Sequence, residues 1–390
     1  VAISRPASRA GSWLRSERGR SKEDDAMASL HTPLCDLLRI EYPIIQAPMA
    51  GGSTTPELVA AVSAAGALGS FGHAYSGAET MRTDATAVRA RTGRPFNLNL
   101  FAAPVPVEAA AEQQRAAIAA VRPLFEQHGL AVPERVPPPY APELVTQLEA
   151  VCDLRPAVCT IHLGALSPNV VARIRGLGIC LGSAATSVRE ARHLEGLGAD
   201  FIIAQGGEAG GHRGTFLGSW EQAMTGTLAL VRQIVRAVGL PVVAAGGIMD
   251  GAGIAAVLAL GAQAAQLGTA FVVCPESGAP AAHKKAIVDM DGDETVMTRA
   301  FSGKPARGVR NRFTELAERE GWPLLPFPAH AKLTAPLRQA SARAGSGDCF
   351  SAWAGQAGSL ARPLPAAELV RVLVDETREA IERLRGAVAP

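Results

Sequence analysis

One histidine stands in the run Ala204-Gln205-Gly206-Gly207-Glu208-Ala209-Gly210-Gly211-His212-Arg213-Gly214, directly after the apolar stretch Phe201-Ile202-Ile203-Ala204. Imidazole has an ordinary pKa of about 6.5 and can take or give a proton near neutrality. The glycines around it let backbone N–H groups come close to a flat or charged ligand. His212 is therefore the candidate catalytic base. A buried strand ending in such a loop delivers its chemistry at the carboxyl end, as barrel strands do. Metal chemistry has no matching signal: the six cysteines (Cys35, Cys152, Cys159, Cys180, Cys274, Cys349) are scattered, with no CxxC pair and no histidine at zinc-ligand spacing. They read as reduced thiols of a cytoplasmic protein.

The elements that must position His212 repeat along the chain. Short apolar runs alternate with Ala/Leu-rich stretches from Tyr42 onward, the pattern of βα units and a parallel sheet. Eight strands are predicted: Ile44–Ala47, Leu68–Phe71, Asn97–Leu100, Val158–His162, Ile179–Ser183, Phe201–Ala204, Val242–Ala245 and Ala265–Gly268. Helices are expected at Pro56–Ala65, Ala184–Leu197 and Gly251–Leu260. The long connection from Pro104 to Pro156 should hold two more, Val107–His128 and Pro142–Cys152, and overhang the barrel mouth. The expected fold class is α/β, a (β/α)8 TIM-type barrel with an inserted helical lobe near the C-terminus. Residues 1–26, Arg- and Ser-rich with no apolar run, read as a leader ahead of Met27; the barrel then covers 27–274, the lobe 275–365 without a strand repeat, and a last amphipathic barrel helix begins at Ala366 and ends near Arg385 within 366–390.

Barrel sites draw on several strand ends at once. Here strand one ends in Gln46-Ala47-Pro48-Met49, strand three in Asn97-Leu98-Asn99-Leu100-Phe101, and strands seven and eight in Ala245-Gly246-Gly247-Ile248 and Gln266-Leu267-Gly268-Thr269. Glycine-rich ends on the last two strands are where barrels bind a phosphate through backbone N–H groups. Neither a Walker A nor a Gly-x-Gly-x-x-Gly context is present, which argues against a nucleoside triphosphate or a Rossmann-bound dinucleotide. A phosphate site beside the apolar Ala47-Pro48-Met49 loop suggests a flat cofactor with one phosphate, such as FMN.

These motifs, together with Trp353-Ala354-Gly355-Gln356, resemble the nitronate monooxygenase (2-nitropropane dioxygenase) family, and the likeness runs from about Leu38 to Arg385. The resemblance implies FMN held at the carboxyl end of the barrel. Ala47, Pro48 and Met49 would line its ring, Asn99 and Gln205 would hydrogen-bond it, and Gly210 would face it, with Gly206 and Gly211 in the same loop. Gly246, Gly247, Gln266, Leu267, Gly268 and Thr269 would cradle ribityl and phosphate, and His162, at the end of strand four, joins this set. His73, after strand two, is left with a structural hydrogen bond. Arg213 would favour an anionic substrate or flavin, and Trp353 either walls the pocket or anchors the lobe.

The activity implied is oxidation of alkyl nitronates, and of nitroalkanes where His212 removes a proton, by O2 to carbonyl compounds and nitrite. The alternative is an FMN-dependent NAD(P)H reductase of enoyl thioesters or quinones, because such reductases share much of the Glu208–His212 loop. Nitronate-specific members are expected to place tyrosines and a lysine from the C-terminal part in the pocket. The tyrosines here are Tyr42, Tyr75 and Tyr140, none in that part, which leaves Lys304 and Lys332 as anion contacts. With Lys+Arg 38 against Asp+Glu 36, charge gives no pull toward nucleic acid, and no run is apolar enough to cross a bilayer. The expected partners are a small nitronate-like anion and O2; a homodimer is allowed but not required.

Overall fold

The computed structural model describes residues 30–104 and 108–388. The expected leader, Met27 and the first residue of the helix expected from Val107 lie outside the described residues. Eight parallel strands form the barrel: β1 (Ile44–Gln46), β2 (Gly69–Gly72), β3 (Phe96–Phe101), β4 (Val158–His162), β5 (Cys180–Ala185), β6 (Phe201–Gln205), β8 (Val242–Ala245) and β9 (Ala264–Leu267). β7 (Gly211–His212) lies outside it. The ring closes between β1 and the start of β2, where Gln46 N donates to Leu68 O at 2.9 Å and Leu68 N to Ile44 O at 3.0 Å.

Alternation along each strand sorts side chains between two layers. Ile44, Ile202, Ala204, Val242, Ala244, Ala265 and Leu267 face outward into the core beneath the helices. Their neighbours Ile45, Phe201, Ile203, Val243 and Ala264 fill the barrel interior, where Leu34 and Leu38 of the helix Pro33–Leu38 join them. The barrel is thus a packed core whose free space lies toward the carboxyl ends of its strands. The helix Ala366–Val388 packs on Gly251–Ala259 and Pro56–Ala64, completing the outer layer. Gly251 has no room for a side chain there, since a Cβ would stand 2.2 Å from Thr377 N.

Two expectations need correction. The helix expected from Ala184 begins at Val188, because Ala184 and Ala185 continue the buried strand β5 and Ser187 caps the helix, accepting from Glu190 N at 3.2 Å. Small alanines suit a helix by propensity, yet here parallel pairing with Ile203 and Ala204 decides. The lobe also contains strands. β10 (Thr295–Thr298) pairs antiparallel with β11 (Ala306–Val309), and β11 pairs antiparallel with β7. These strands are too short to show a period, and their pairing partner β7 is remote in sequence.

In the long connection, helices run over Ala111–Gln127 and Leu144–Leu154. The first shares a core with residues of the following turn and of the lobe: Val121, Phe125, Val136 and Tyr140 pack with Phe301, Phe313, Leu333 and Leu337.

Candidate active site

A cavity of about 190 Å³ opens at the carboxyl end of the barrel. One water occupies roughly 10–15 Å³ on this measure, so the space is that of an organic ligand. Its lining includes Ala47, Pro48, Met49, Asn99, His162, Gln205, Gly210, Gly211, His212, Gly246, Gly247, Gln266, Gly268 and Thr269, so residues from many strand ends converge as the motifs predict. Gly206 and Leu267 are not among them. Gly206 is buried against Thr227, where a Cβ would come 1.9 Å from Thr227 Oγ1, and Leu267 faces the helix layer.

His212 is held by its backbone and its ring. Its strand β7 is pinned by Ala306 and Arg307 of β11, so the histidine expected in a loop sits on the edge of a small sheet. Its carbonyl accepts from Gln205 Nε2 at 3.0 Å and from His162 Nε2 at 3.1 Å. Gln205 is oriented in turn, since its Oε1 accepts from Gly214 N at 2.7 Å. The ring of His212 lies among Phe327, Trp353 and Phe101, with centroids 5.4, 5.6 and 6.0 Å away, and its Nε2 is 2.9 Å from Ser302 Oγ. Burial first, and then the charges of His162, Lys304 and Arg338, push its pKa down to about 3. Burial likewise takes His162 down to about 4. Both rings are therefore neutral near pH 7.

The charged residues divide. Arg213 does not line the cavity: its guanidinium is buried, giving hydrogen bonds to the carbonyls of Gln205, Gly206 and Ala223. Lys304 is half-buried, donates to Thr215 O at 3.3 Å, and acts on His212 and His162 through its charge. Lys332 lies on the surface, tied to Pro137 O and Pro139 O. His73 is buried away from the cavity, beside Asp84 at 3.9 Å. Trp353 lines the cavity and also packs edge-on against Phe301 of the lobe. Reading from sequence missed Tyr75, Phe101, His283 and Ser302. Phe101 alone had a local signal, as the last residue of β3 beside Asn99.

Several features fit a flat phosphate-bearing cofactor. Gln266 Oε1 is buried in the cavity wall with no partner, as is His283 Nδ1, and an acceptor left this way requires a donor from a ligand or water. Asn99, in the cavity wall, gives its amide N–H groups to Thr160 O and Oγ1, at 3.1 and 3.0 Å, and its Oδ1 makes no hydrogen bond among the described residues. Gly246 and Gly247 line the cavity with φ of 114° and 70°, a backbone that side chains rarely permit. Among the described residues no group of three or more metal-ligating side chains occurs, and no helix is long and apolar enough to cross a membrane.

Known proteins resemble this chain in sequence and in fold. The family profile described as nitronate monooxygenase matches residues 31–376. A nitronate monooxygenase of Pseudomonas aeruginosa is 46% identical over 345 residues, covering 88% of this chain and 98% of that one. Among solved structures, the nitroalkane oxidase of Streptomyces ansochromogenes superimposes with a TM-score of 0.82 at 40% identity, over 90% of this chain and all of that one. FabK of Thermotoga maritima follows with 0.73 at 29% identity, covering 92% and 99%. The family profile and these relatives span almost the whole length described, and the chain is a member of the nitronate monooxygenase family.

Proposed function

We propose that this protein oxidises alkyl nitronates with O2 to carbonyl compounds and nitrite, using FMN, and that it accepts neutral nitroalkanes by first removing a proton with His212. Its family is flavin-dependent in general, and bound FMN would supply the electron acceptor. The observation that carries the reading is the neutral imidazole of His212 in the cavity wall, clamped through its carbonyl and half-enclosed by aromatic rings.

In this reading Ala47, Pro48 and Met49 would wall the flat ring, Asn99 and Gln205 would meet its polar edge, and Gly246, Gly247, Gly268 and Thr269, which line the cavity, would surround the phosphate. Gln266 Oε1 would accept from a ribityl hydroxyl. An imidazole this hard to protonate is a weak base alone. Proton transfer from a nitroalkane, however, leaves a nitronate anion beside the new imidazolium, and a close opposite charge favours the charged form. The positive charges of Lys304 and Arg338, which oppose protonation of His212, attract that same anion. Phe101, Phe327 and Trp353 limit water around the pair.

The test is anaerobic mixing of the purified, flavin-loaded protein with an alkyl nitronate and, separately, with NADH and NADPH. Reduction by nitronate, with nitrite appearing once O2 is admitted, is expected. Rapid bleaching by a pyridine nucleotide with no response to nitronate would replace this reading with the reductase.

A further inference from the structure

We infer that Ser302, from the segment linking β10 to β11, holds His212 in its Nε2–H tautomer and thereby leaves Nδ1 as the ring's proton acceptor at the cavity. The inference rests on the proposed role of His212 as base and assigns which of its two nitrogens does the work.

The assignment follows from counting protons. Ser302 Oγ has one hydrogen to give and two lone pairs to fill. It lies 3.1 Å from Lys304 O, 3.3 Å from Lys304 N and 2.9 Å from His212 Nε2. Lys304 N can only donate and Lys304 O can only accept. Among the described residues, Lys304 O has no other donor, so the Ser302 hydrogen goes there. The oxygen then takes one hydrogen from Lys304 N, and its remaining lone pair needs a donor. That donor is His212 Nε2–H. The opposite arrangement would leave Lys304 O without a partner beside Ser302, which is 3% exposed, and would therefore be disfavoured.

Geometry keeps the ring in this setting. Three aromatic rings pack around it, and the carbonyl of His212 is held from the other side by Gln205 and His162. His162 is fixed in the same way: its Nε2 faces a carbonyl, so it must carry the hydrogen. Nδ1 of His212 makes no hydrogen bond among the described residues, and the residue lines the cavity. Because the other nitrogen is engaged by a donor-saturated hydroxyl, the lone pair available to a substrate is the one on Nδ1. The segment that sets this is remote from the barrel in sequence, so the lobe would act on the chemistry as a positioning element.

The experiment uses flavin-loaded protein labelled with 15N-histidine, in which nitrogen shifts and two-bond couplings distinguish Nε2–H from Nδ1–H. The His212 signals are assigned by their loss in His212→Asn. Wild type should show neutral His212 with hydrogen on Nε2; Ser302→Ala should add the Nδ1–H form, and Ser302→Thr should restore the wild-type pattern. In Ser302→Ala the ratio of kcat on neutral nitroethane to kcat on its preformed nitronate should fall about 10-fold, since a misplaced tautomer removes part of general-base catalysis. Hydrogen on Nδ1 in wild type, or an unchanged tautomer in Ser302→Ala, would overturn the inference. A tautomer shift with no change in that ratio would uphold the tautomer and instead remove His212 from proton transfer, so the two failures are distinguishable.

Discussion

If His212 is the base, its titration sets the acid limb of kcat/KM on a neutral nitroalkane, because that parameter reports groups of the free enzyme. An ordinary imidazole with a pKa of 6.5 would be only about 3% unprotonated at pH 5, a loss of about 30-fold from the plateau. Burial among aromatic rings and neighbouring positive charge place His212 at about 3, so at pH 5 it remains about 99% in the basic form. The expected profile is flat from pH 8 to 5. The assay is initial nitrite release at low nitroethane and constant ionic strength, with far-UV circular dichroism and flavin fluorescence confirming fold and cofactor at each pH. His212→Asn should keep its flavin and lose about 100-fold or more on neutral nitroalkane, at all these pH values alike. An acid limb centred near pH 6.5 in intact wild-type protein would refute both the burial argument and the flat profile drawn from it.

Acid should nonetheless weaken the fold. His73, His283 and His330 are buried, and burial takes each pKa from 6.5 to about 4. Between those values the unfolded chain binds protons that the folded chain refuses, so stability is full above pH 6.5 and drains as pH falls toward 4. Each contributes a slope of up to about 1.4 kcal/mol per pH unit in mid-window, as do His162 and His212, which burial lowers likewise, and the summed loss is readable from urea midpoints at pH 7, 6 and 5; an unchanged midpoint would contradict it. Glu190, fully buried, accepts from Thr186 N (2.7 Å), Thr186 Oγ1 (2.6 Å), Phe216 N (2.7 Å) and Leu217 N (2.9 Å). Glu190→Ala strands three backbone donors and should cost about 3 kcal/mol or more by urea unfolding, whereas a loss below about 1 kcal/mol would mean water replaces the carboxylate. In Gly210→Ala the new Cβ would stand 2.6 Å from Ala354 C and Gly355 N, both backbone atoms. The Trp353–Gln356 segment must then shift from the cavity wall, costing about 1–3 kcal/mol and loosening the flavin; unaltered flavin affinity by fluorescence titration would argue against that packing.

Much of the site was legible because barrel chemistry gathers at strand ends and each strand end carries its own local signature. Gln46-Ala47-Pro48-Met49, Asn99, Gly246-Gly247 and Gln266-Leu267-Gly268-Thr269 each follow an apolar run, and all these segments reach the cavity. Within a segment, alternation determines which residues point in. That is why Gln266 and Gly268 line the cavity while Leu267 between them belongs to the helix-side core. Gly206 illustrates a different limit: its lack of a side chain answers to Thr227, and a glycine in a motif does not say which neighbour it makes room for.

The sequence by itself determined the parallel barrel, the end of it that carries the cavity and the single histidine of the glycine loop, because these depend on short-range periodicity and on residue types at strand ends. Only the tertiary structure decided how that histidine is set. Its short strand exists by pairing with Ala306 and Arg307, its ring is walled by Phe327 and Trp353, and its Nε2 meets Ser302. All of these come from about ninety or more positions away in the chain, across contacts whose energy is realised only once barrel and lobe have packed together. The same burial that no local pattern records also converts an imidazole of ordinary pKa into one that stays neutral in acid.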